Sequence, residues 1–173
     1  MRNNRPLLLI DVDGVLNPFD MDHDLAPELG FELYRITVHD GRCFSVLLNP
    51  IHGAWLNELA ADFDLVWATT WGHEANELIG PKIGLPALPV IEPVRRGLYR
   101  IEKFDPARKF VRGRPFAWID DNFEYGVHDW AARRNRAGWP ALLVRPNPEV
   151  GLTEAHIQTL REFAEQLKKR AEK

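Results

Sequence analysis

Four short runs of apolar residues recur along the chain, and polar residues follow each run directly. The runs lie in the segments "PLLLIDVDG", "FDLVWATTW", "PFAWIDDN" and "PALLVRPN". Each has the length of a strand and is almost continuous in apolar residues, which is typical of strands that a parallel sheet buries on both faces. The pattern therefore predicts four buried strands.

Segments with helical character lie between or after these runs. They cover residues 50–63, 105–113, 123–138 and 152–170. Thr153 is a suitable N-cap for the last segment, and Gly138 is a suitable stop for the one before it. Because strands and helices alternate, the sequence predicts an α/β fold, a three-layer sandwich around a mostly parallel, Rossmann-like sheet.

Two regions depart from this alternation. Residues 31–50, "FELYRITVHDGRCFSVLLNP", contain two strand-like halves around Asp40-Gly41, a dipeptide that favours a β-hairpin turn. Residues 79–97, "IGPKIGLPALPVIEPVRRG", are rich in Pro and Gly and predict an irregular connection with room for one short strand. We therefore expect a β-hairpin flap after the first strand, within residues 17–50.

Composition and charge narrow the class of protein. The chain has 173 residues, of which 45% are hydrophobic and 27% charged, so a single globular domain over residues 1–173 is expected. The formal net charge of -3 gives no global sign of a nucleic-acid or membrane-surface protein. No apolar stretch approaches the length of a membrane-spanning helix. Cys43 is the only cysteine, which excludes an internal disulfide and fits a cytoplasmic, reducing location.

Three of the four predicted strands end in residues with reactive side chains. The first run ends in Asp11 and Asp13, the second in Thr69 and Thr70, and the third in Asp120 and Asp121. Open parallel sheets bind ligands at the carboxyl ends of their strands, so these carboxylates are expected to meet there. Two like charges about 4 Å apart repel by roughly 4 kcal/mol at an effective dielectric of about 20. A Mg²⁺ ion shared with a phosphate would offset this repulsion, because magnesium binds carboxylates, water and phosphate oxygens.

The segments "DVDGVLNP", "WATTW" and "WIDDN" resemble motifs I, II and IV of the haloacid dehalogenase (HAD) superfamily. The resemblance covers the core from about residue 6 to residue 145 and implies a magnesium-dependent phosphatase on a Rossmann-like sheet. It places the nucleophile at Asp11 and the general acid/base at Asp13. The presence of Asp13 favours phosphoryl transfer over dehalogenation, because dehalogenases of this superfamily lack that acid.

The resemblance also implies roles for residues at the other strand ends. The motif II hydroxyl that binds the phosphoryl group falls on Thr69. The magnesium ligands are expected among the acids of motifs I and IV, namely Asp11, Asp13, Asp120 and Asp121. Substrate contacts are expected from Thr70, Gly14 and Asn122.

Motif III of the superfamily is a lysine, for which Lys103 and Lys109 are the candidates. Asp105-Pro106 predicts the N-cap and first position of a helix, so Lys103 lies just before that helix. A helix that precedes a parallel strand starts at the edge of the sheet where the acids lie. Lys109 is a turn inside the helix, further from that edge, and we therefore favour Lys103.

Three further features have an ordinary structural interpretation beside a functional one. The acidic segment 20–24, "DMDHD", is favoured as a solvated loop over a second metal site. The arginines of "RRGLYR", Arg95, Arg96 and Arg100, fit a solvated basic loop at least as well as a grip on a substrate phosphate. Trp71, just past motif II, is less favoured as a stacking face above the site than as a packed residue.

The chain between motifs I and II holds little beyond the hairpin and one helix, so no full cap domain is expected over the site. The expected function is magnesium-dependent hydrolysis of a phosphomonoester through an aspartyl-phosphate, with a small phosphorylated molecule as substrate. Three alternatives stay open: a polynucleotide-end phosphatase, a phosphotransferase, and a catalytically silent domain that binds phosphorylated ligands. The global charge argues against a nucleic-acid partner, and the complete set of acids argues against a silent domain.

Overall fold

A four-stranded parallel sheet lies at the centre of the fold. The computed structural model describes residues 5–19, 21–22, 24–97 and 100–172. In chain order the strands are β1 (Leu7–Ile10), β2 (Glu32–Thr37), β3 (Cys43–Leu48), β4 (Asp64–Trp67), β5 (Val94–Arg96), β6 (Arg100–Glu102), β7 (Phe116–Ile119) and β8 (Ala141–Val144). The central sheet has the order β4-β1-β7-β8, and all neighbouring strands in it run parallel. The four apolar runs are therefore the four strands of the predicted sheet.

Helices cover both faces of this sheet. They are α1 (Pro50–Leu59), α2 (Phe104–Val111), α3 (Val127–Arg136) and α4 (Glu154–Ala171). None of the described helices combines the length and the apolar composition that crossing a membrane requires. Leu8 and Ile10 of β1 pack in one core with residues of α1 and α4, whereas Leu7 and Leu9 pack in a second core with residues of α2 and α3. Since successive side chains of a strand point to opposite faces, this division confirms the three-layer α/β arrangement.

The register of the sheet aligns the strand ends that bear the polar residues. Ile10, the last residue of β1, pairs with Trp67 of β4 and with Ile119 of β7. The backbone N–H of Asp11 donates to the carbonyl oxygen of Ile119 at 3.1 Å. Asp11 therefore leaves β1 at the same edge of the sheet at which Asp120 leaves β7.

The predicted flap is an antiparallel hairpin of β2 and β3. Thr37 pairs with Cys43 beside the turn, where Gly41 has a φ of +86°, a conformation that glycine adopts without strain. Ile36 and Val46 are buried in the main core, so one face of the hairpin is fixed to the body of the protein. Among the described residues between β1 and β4, the hairpin and α1 are the regular elements, as expected for a chain without a full cap domain.

Two helices begin at other residues than their sequence patterns indicate. α3 begins at Val127, because Gly126 before it has a φ of +89°, outside the helical range. α2 begins at Phe104 with Lys103 as its N-cap. The prediction of Asp105 as the N-cap is therefore wrong, and Asp105 lies in the first turn of the helix.

The predicted irregular connection contains one short strand, β5, which forms a second hairpin with β6. β5 and β6 pair antiparallel at the end of that connection. The three residues of β5 are exposed and have no alternating apolar pattern, so periodicity gives no signal for this pairing. Between β4 and β5 the chain forms a π-helical turn, Ala75–Ile79, and a 3₁₀ turn, Gly80–Ile83.

Candidate active site

Three carboxylates from the ends of β1 and β7 meet in a small volume. Asp11, Asp120 and Asp121 each contribute an oxygen that lies within 4.8 Å of the other two. Asp11 and Asp120 are buried, and Asp121 is half-buried. Oxygen donors of this kind suit a hard divalent cation. The sheet edge thus holds the acidic cluster formed by these three aspartates, and its composition is compatible with a metal ion.

Lys103 lies between two carboxylates of the acidic cluster. Its Nζ donates to Oδ2 of Asp11 at 2.5 Å and to Oδ2 of Asp120 at 2.6 Å. Burial alone would lower the pKa of Lys103, but the two carboxylates outweigh burial and hold the pKa above its usual value. The lysine is therefore a permanent cation that offsets part of the repulsion between Asp11 and Asp120.

The loop after β7 fixes the backbone of Lys103. Oε1 of Glu124 accepts hydrogen bonds from the backbone N–H groups of Lys103, at 2.5 Å, and of Phe104, at 2.9 Å. N–H groups at the start of a helix have no partner within the helix, so Glu124 caps α2 in the place predicted for Asp105. No local signature in the sequence identifies Glu124, because the two segments lie 20 residues apart along the chain.

The structure separates the two candidate lysines of motif III. The side chain of Lys103 is only 12% exposed and contacts the acidic cluster. Lys109 is exposed on α2, more than a turn further along the helix. This placement agrees with the choice of Lys103 from the sequence, and its catalytic role stays a prediction.

Asp120 is the carboxyl group most affected by the crowding. Its Oδ1 accepts a hydrogen bond from the backbone N–H of Asn122 at 3.0 Å, while its Oδ2 accepts from Lys103. Burial, followed by the charge of Asp11, raises the pKa of Asp120 to about 7 despite these donors. The same two causes raise the pKa of Asp121. The charge of one lysine thus does not cancel the repulsion among the three carboxylates. A bound cation would relieve the repulsion that remains.

Gly14 leaves the space that Asp121 occupies. It has a φ of +70°, and a Cβ atom at this position would lie 2.3 Å from Cγ of Asp121. Any larger residue must therefore displace that carboxylate from the acidic cluster. The predicted contact of Gly14 with substrate stays a prediction.

The carboxylate of Asp13 has partners of its own outside the acidic cluster. Its Oδ1 accepts a hydrogen bond from Nδ2 of Asn17 and its Oδ2 from Nε1 of Trp71, both at 2.9 Å. Burial raises the pKa of Asp13, although the two hydrogen bonds act against the shift. A carboxyl group that is oriented through both oxygens and has a raised pKa is suited to exchange protons. Its expected role as a magnesium ligand gains no support from this arrangement.

Both partners of Asp13 are attached to β3 of the hairpin. Oδ1 of Asn17 accepts a hydrogen bond from the backbone N–H of Leu47 at 2.9 Å. The ring of Trp71 meets the ring of Phe44 edge-on, with 5.7 Å between the ring centroids. The hairpin therefore helps to orient the carboxylate of Asp13, and neither Asn17 nor Trp71 was assigned to this task by any sequence motif.

The other predicted residues lie around these groups. Thr69 is fully buried, and its hydroxyl oxygen lies 3.4 Å from the backbone nitrogen of Trp71. Thr70 is exposed and lines a cavity of about 500 Å³. Asn122 contributes its backbone N–H to Asp120, while its side chain is exposed. The contacts of these three residues with phosphate or substrate stay predictions.

The acidic segment 20–24 shows an ordinary turn contact. A side-chain oxygen of Asp22 accepts a hydrogen bond from the backbone N–H of Asp24 at 2.9 Å. Asp20 and His23 lie outside the described residues. The contact agrees with the preferred interpretation of this segment as a solvated loop.

The arginines of the second hairpin have different surroundings. Arg96 forms an ion pair with Glu102 at 3.0 Å across the two strands. Arg95 lines the same cavity as Thr70. The side chain of Arg100 lies outside the described part of the chain. Of the two arginines whose side chains the structure describes, Arg95 is the one that lines the cavity.

Substitution of Gly14 by alanine is expected to disturb the acidic cluster. Because the added Cβ meets Asp121, magnesium should stabilise Gly14→Ala much less than it stabilises the wild type. The measurement is the shift in Tm between chelator and millimolar magnesium. Gly41→Ala is the matched control, since Gly41 also has a positive φ, +86°, but a Cβ there meets no atom within 4 Å. Equal magnesium shifts in the two variants would contradict this role of Gly14.

Removal of the cap on α2 is expected to lower turnover, because the cap holds the backbone of Lys103, the predicted motif III lysine. Glu124→Ala frees the backbone of the lysine to move, and a displacement of about 1 Å at a reacting centre costs about 10²-fold in rate. Glu124→Gln keeps a side-chain oxygen as acceptor and should retain most of the activity. Steady-state kinetics on a phosphomonoester compare the two variants, with Tm as the check on folding. Full activity in a folded Glu124→Ala would refute the assignment.

The raised pKa of Asp120 predicts how stability depends on pH in the absence of metal. A carboxyl group whose pKa rises from 3.8 in the unfolded chain to about 7 binds an extra proton in the folded state between those pH values. Its contribution to the free energy of unfolding therefore falls as pH rises through this window. In chelator, Asp120→Asn should gain stability relative to the wild type from about pH 4 to about pH 7. Denaturant titrations across this range measure the difference, and a constant difference would speak against the assignment.

One known family matches nearly the whole chain. Its model, described as "HAD domain in Swiss Army Knife RNA repair proteins", covers residues 7–157. The crystal structure of a hypothetical protein from Xanthomonas campestris is similar, with a TM-score of 0.48 and 17% sequence identity over 97% of this chain and 87% of that chain. No curated protein matches the sequence. The family match includes the ends of β1, β4 and β7, and the chain belongs to the family of HAD domains found in Swiss Army Knife RNA repair proteins.

Proposed function

We propose that the protein hydrolyses a phosphomonoester through an aspartyl-phosphate on Asp11, with Mg²⁺ as its cofactor. Membership of the HAD family supports the broader class of phosphohydrolase or phosphotransferase. The main observation behind the proposal is the separation of two neighbouring aspartates. Asp11 contacts Lys103 within the acidic cluster, whereas Asp13 lies outside the cluster and lines a cavity. This separation fits a nucleophile on one side and a proton donor on the other.

The donor set of the acidic cluster fits magnesium. Asp11, Asp120 and Asp121 offer carboxylate oxygens, the ligands that this ion takes from proteins. The raised pKa values of Asp120 and Asp121 reflect a repulsion that a divalent cation would relieve. These three residues would hold the ion, and when bound it supplies positive charge that stabilises the oxygens of the phosphoryl group.

In the first step, a carboxylate oxygen of Asp11 attacks phosphorus while the bond from phosphorus to the leaving oxygen breaks. Oδ1 of Asp11 accepts a hydrogen bond from the backbone N–H of Val12 at 2.8 Å, and Oδ2 accepts from Lys103, so the carboxylate is held in one orientation. The charge of Lys103 also stabilises negative charge on the transferring phosphoryl group. Asp13 donates its proton to the leaving oxygen.

In the second step, water hydrolyses the aspartyl-phosphate. Asp13, now ionised, accepts a proton from the attacking water, and the bond between phosphorus and the Asp11 oxygen breaks to release inorganic phosphate. Asn17 and Trp71 hold both oxygens of Asp13 and so keep it oriented in both steps. The same carboxyl group thus serves as acid first and as base afterwards.

A polynucleotide end is the second candidate substrate. Its support is the matching family, which is described from RNA repair proteins, together with two arginines, Arg42 and Arg95, in the wall of the cavity beside Asp13. The net charge of -3 argues for few phosphate contacts beyond the reacting one. A steep fall of oligonucleotide affinity with increasing salt would favour this candidate, and an affinity that hardly changes with salt would favour a small molecule.

Substitution of the two aspartates of motif I tests the mechanism. Asp11→Asn removes the attacking carboxylate oxygen and should abolish both turnover and phosphoenzyme. Asp13→Asn loses acid–base catalysis, which contributes about 10²- to 10⁴-fold in rate. With p-nitrophenyl phosphate as substrate, the leaving group departs readily without a proton. Hydrolysis of the aspartyl-phosphate should therefore slow more than its formation. Phosphoenzyme should then accumulate and be visible after rapid quenching as added mass on a peptide that contains Asp11.

Two lysines provide the matched comparison for this experiment. Lys103→Ala should lower turnover by orders of magnitude, whereas Lys109→Ala, with an exposed side chain on the same helix, should stay near wild type. Substantial turnover by Asp11→Asn, or trapped phosphate on another residue, would overturn the mechanism. Loss of activity in Lys109→Ala with full activity in Lys103→Ala would reverse the assignment of the motif III lysine.

A further inference from the structure

A cavity of about 500 Å³ lies directly beside Asp13, and residues of the β2–β3 hairpin form much of its wall. Asp13 and Thr70 form part of its wall, and the three aspartates of the acidic cluster are not among its lining residues. The cavity therefore reaches the site at Asp13 and is lined by residues outside the acidic cluster. Its volume is within the usual range for small-molecule sites, about 300 to 1,000 Å³.

The wall of this cavity exposes large apolar side chains. Phe19, Leu33 and Phe44 are 44%, 52% and 38% exposed, and all three line the cavity. Single exposed apolar residues are common on protein surfaces, but a group of them around one concave space indicates a binding site. Burial of these side chains by a ligand would remove apolar surface from water.

Two aromatic rings are held in place at the reactive end of the cavity. The indole N–H of Trp71 is bonded to Asp13, and the ring packs edge-on against Phe44. The guanidinium of Arg42 lies 5.4 Å from the centre of the Phe44 ring and is paired with Asp40 at 2.8 Å. These contacts fix both rings before any ligand binds, so little conformational freedom is lost on binding.

We infer that this cavity is the subsite for the leaving group, and that the leaving group is an alcohol that carries an aromatic ring and has the size of a nucleoside. The inference rests on the proposed function. Since Asp13 delivers its proton to the leaving oxygen, the group attached to that oxygen must lie on the Asp13 side of phosphorus, where the cavity begins. The rings of Phe44 and Trp71 then provide faces or edges for a base to stack on.

The charge of the cavity wall favours a neutral ring over a second strongly anionic group. Arg95 is balanced by Glu74 within the same lining, and Arg42 is already paired with Asp40 outside it. A small sugar would leave most of the apolar wall in water, whereas a nucleoside covers it. Selection within this site therefore depends on the aromatic part of the leaving group.

Binding to the Asp11→Asn variant in magnesium tests the inference without turnover. Isothermal titration compares adenosine 5′-monophosphate, adenosine 3′-monophosphate and ribose 5-phosphate, which share a phosphomonoester but differ in the presence of a base. The tighter of the two adenosine monophosphates should bind about tenfold more tightly than ribose 5-phosphate, because stacking of a base on an aromatic side chain has an effect of that order. Equal affinities for all three compounds would overturn the inference.

Two phenylalanine substitutions, each added to the Asp11→Asn variant, test whether this cavity holds the base. Phe44→Ala should bring the ratio of affinities close to one, because the base loses the ring on which it stacks. Phe110→Ala is the matched control, since Phe110 is 39% exposed on α2 and does not line this cavity. An affinity ratio that survives in Phe44→Ala would contradict the assignment of this cavity.

Phosphate release by the wild type separates this inference from the proposed function. A higher kcat/KM for the adenosine monophosphates than for ribose 5-phosphate supports both the proposed function and the leaving-group subsite. Equal kcat/KM values for all three would support hydrolysis and overturn the leaving-group subsite. Absence of release from any of them and from p-nitrophenyl phosphate would overturn the proposed function, and with it the assignment of the cavity to a leaving group.

Discussion

The crowding of three carboxylates at one edge of the sheet is the constraint on which the rest of the site depends. Parallel strands in register bring Asp11 and Asp120 to the same place, and Gly14 lets Asp121 approach them. Lys103 is the cation within the described residues that contacts two of the three. Since Glu124 holds the backbone of this lysine, the short loop after β7 supplies two acids as well as the group that positions their counter-charge.

The elements that the sequence predicts are those whose cause is local. Leu7–Ile10 is apolar at every position because both faces of β1 are buried, and the same holds for Phe116–Ile119. Strand ends that bear acids then imply a shared edge, which is where the structure places Asp11 and Asp120. Thr153 is the N-cap of α4, as predicted. This cap is local, because Thr153 and its partner His156 lie three residues apart in the sequence.

The features that the sequence does not predict depend on contacts between distant segments. Glu124 caps α2 from 20 residues further along the chain, so the local prediction of Asp105 as the N-cap is wrong. Trp71 donates to Asp13 across 58 residues, which no motif spacing encodes. Pairing of β5 with β6 likewise comes from backbone hydrogen bonds. The residues of β5 are exposed, so the sequence has no hydrophobic pattern that would predict this pairing. Local patterns thus identify which residues meet at the edge of the sheet, while tertiary contacts decide how those residues are held.

The attachment of Asp13 to the hairpin has a consequence for how this protein can change over evolution. Leu47 and Phe44 lie on β3, and each contacts a residue that holds the carboxylate of Asp13. A hairpin in this position therefore cannot be exchanged without effect on the orientation of Asp13. Insertions or deletions that shift the register of β2 and β3 would move the cavity wall and the carboxylate of Asp13 together. Divergence of specificity is consequently expected to proceed by side-chain replacement on a conserved hairpin backbone.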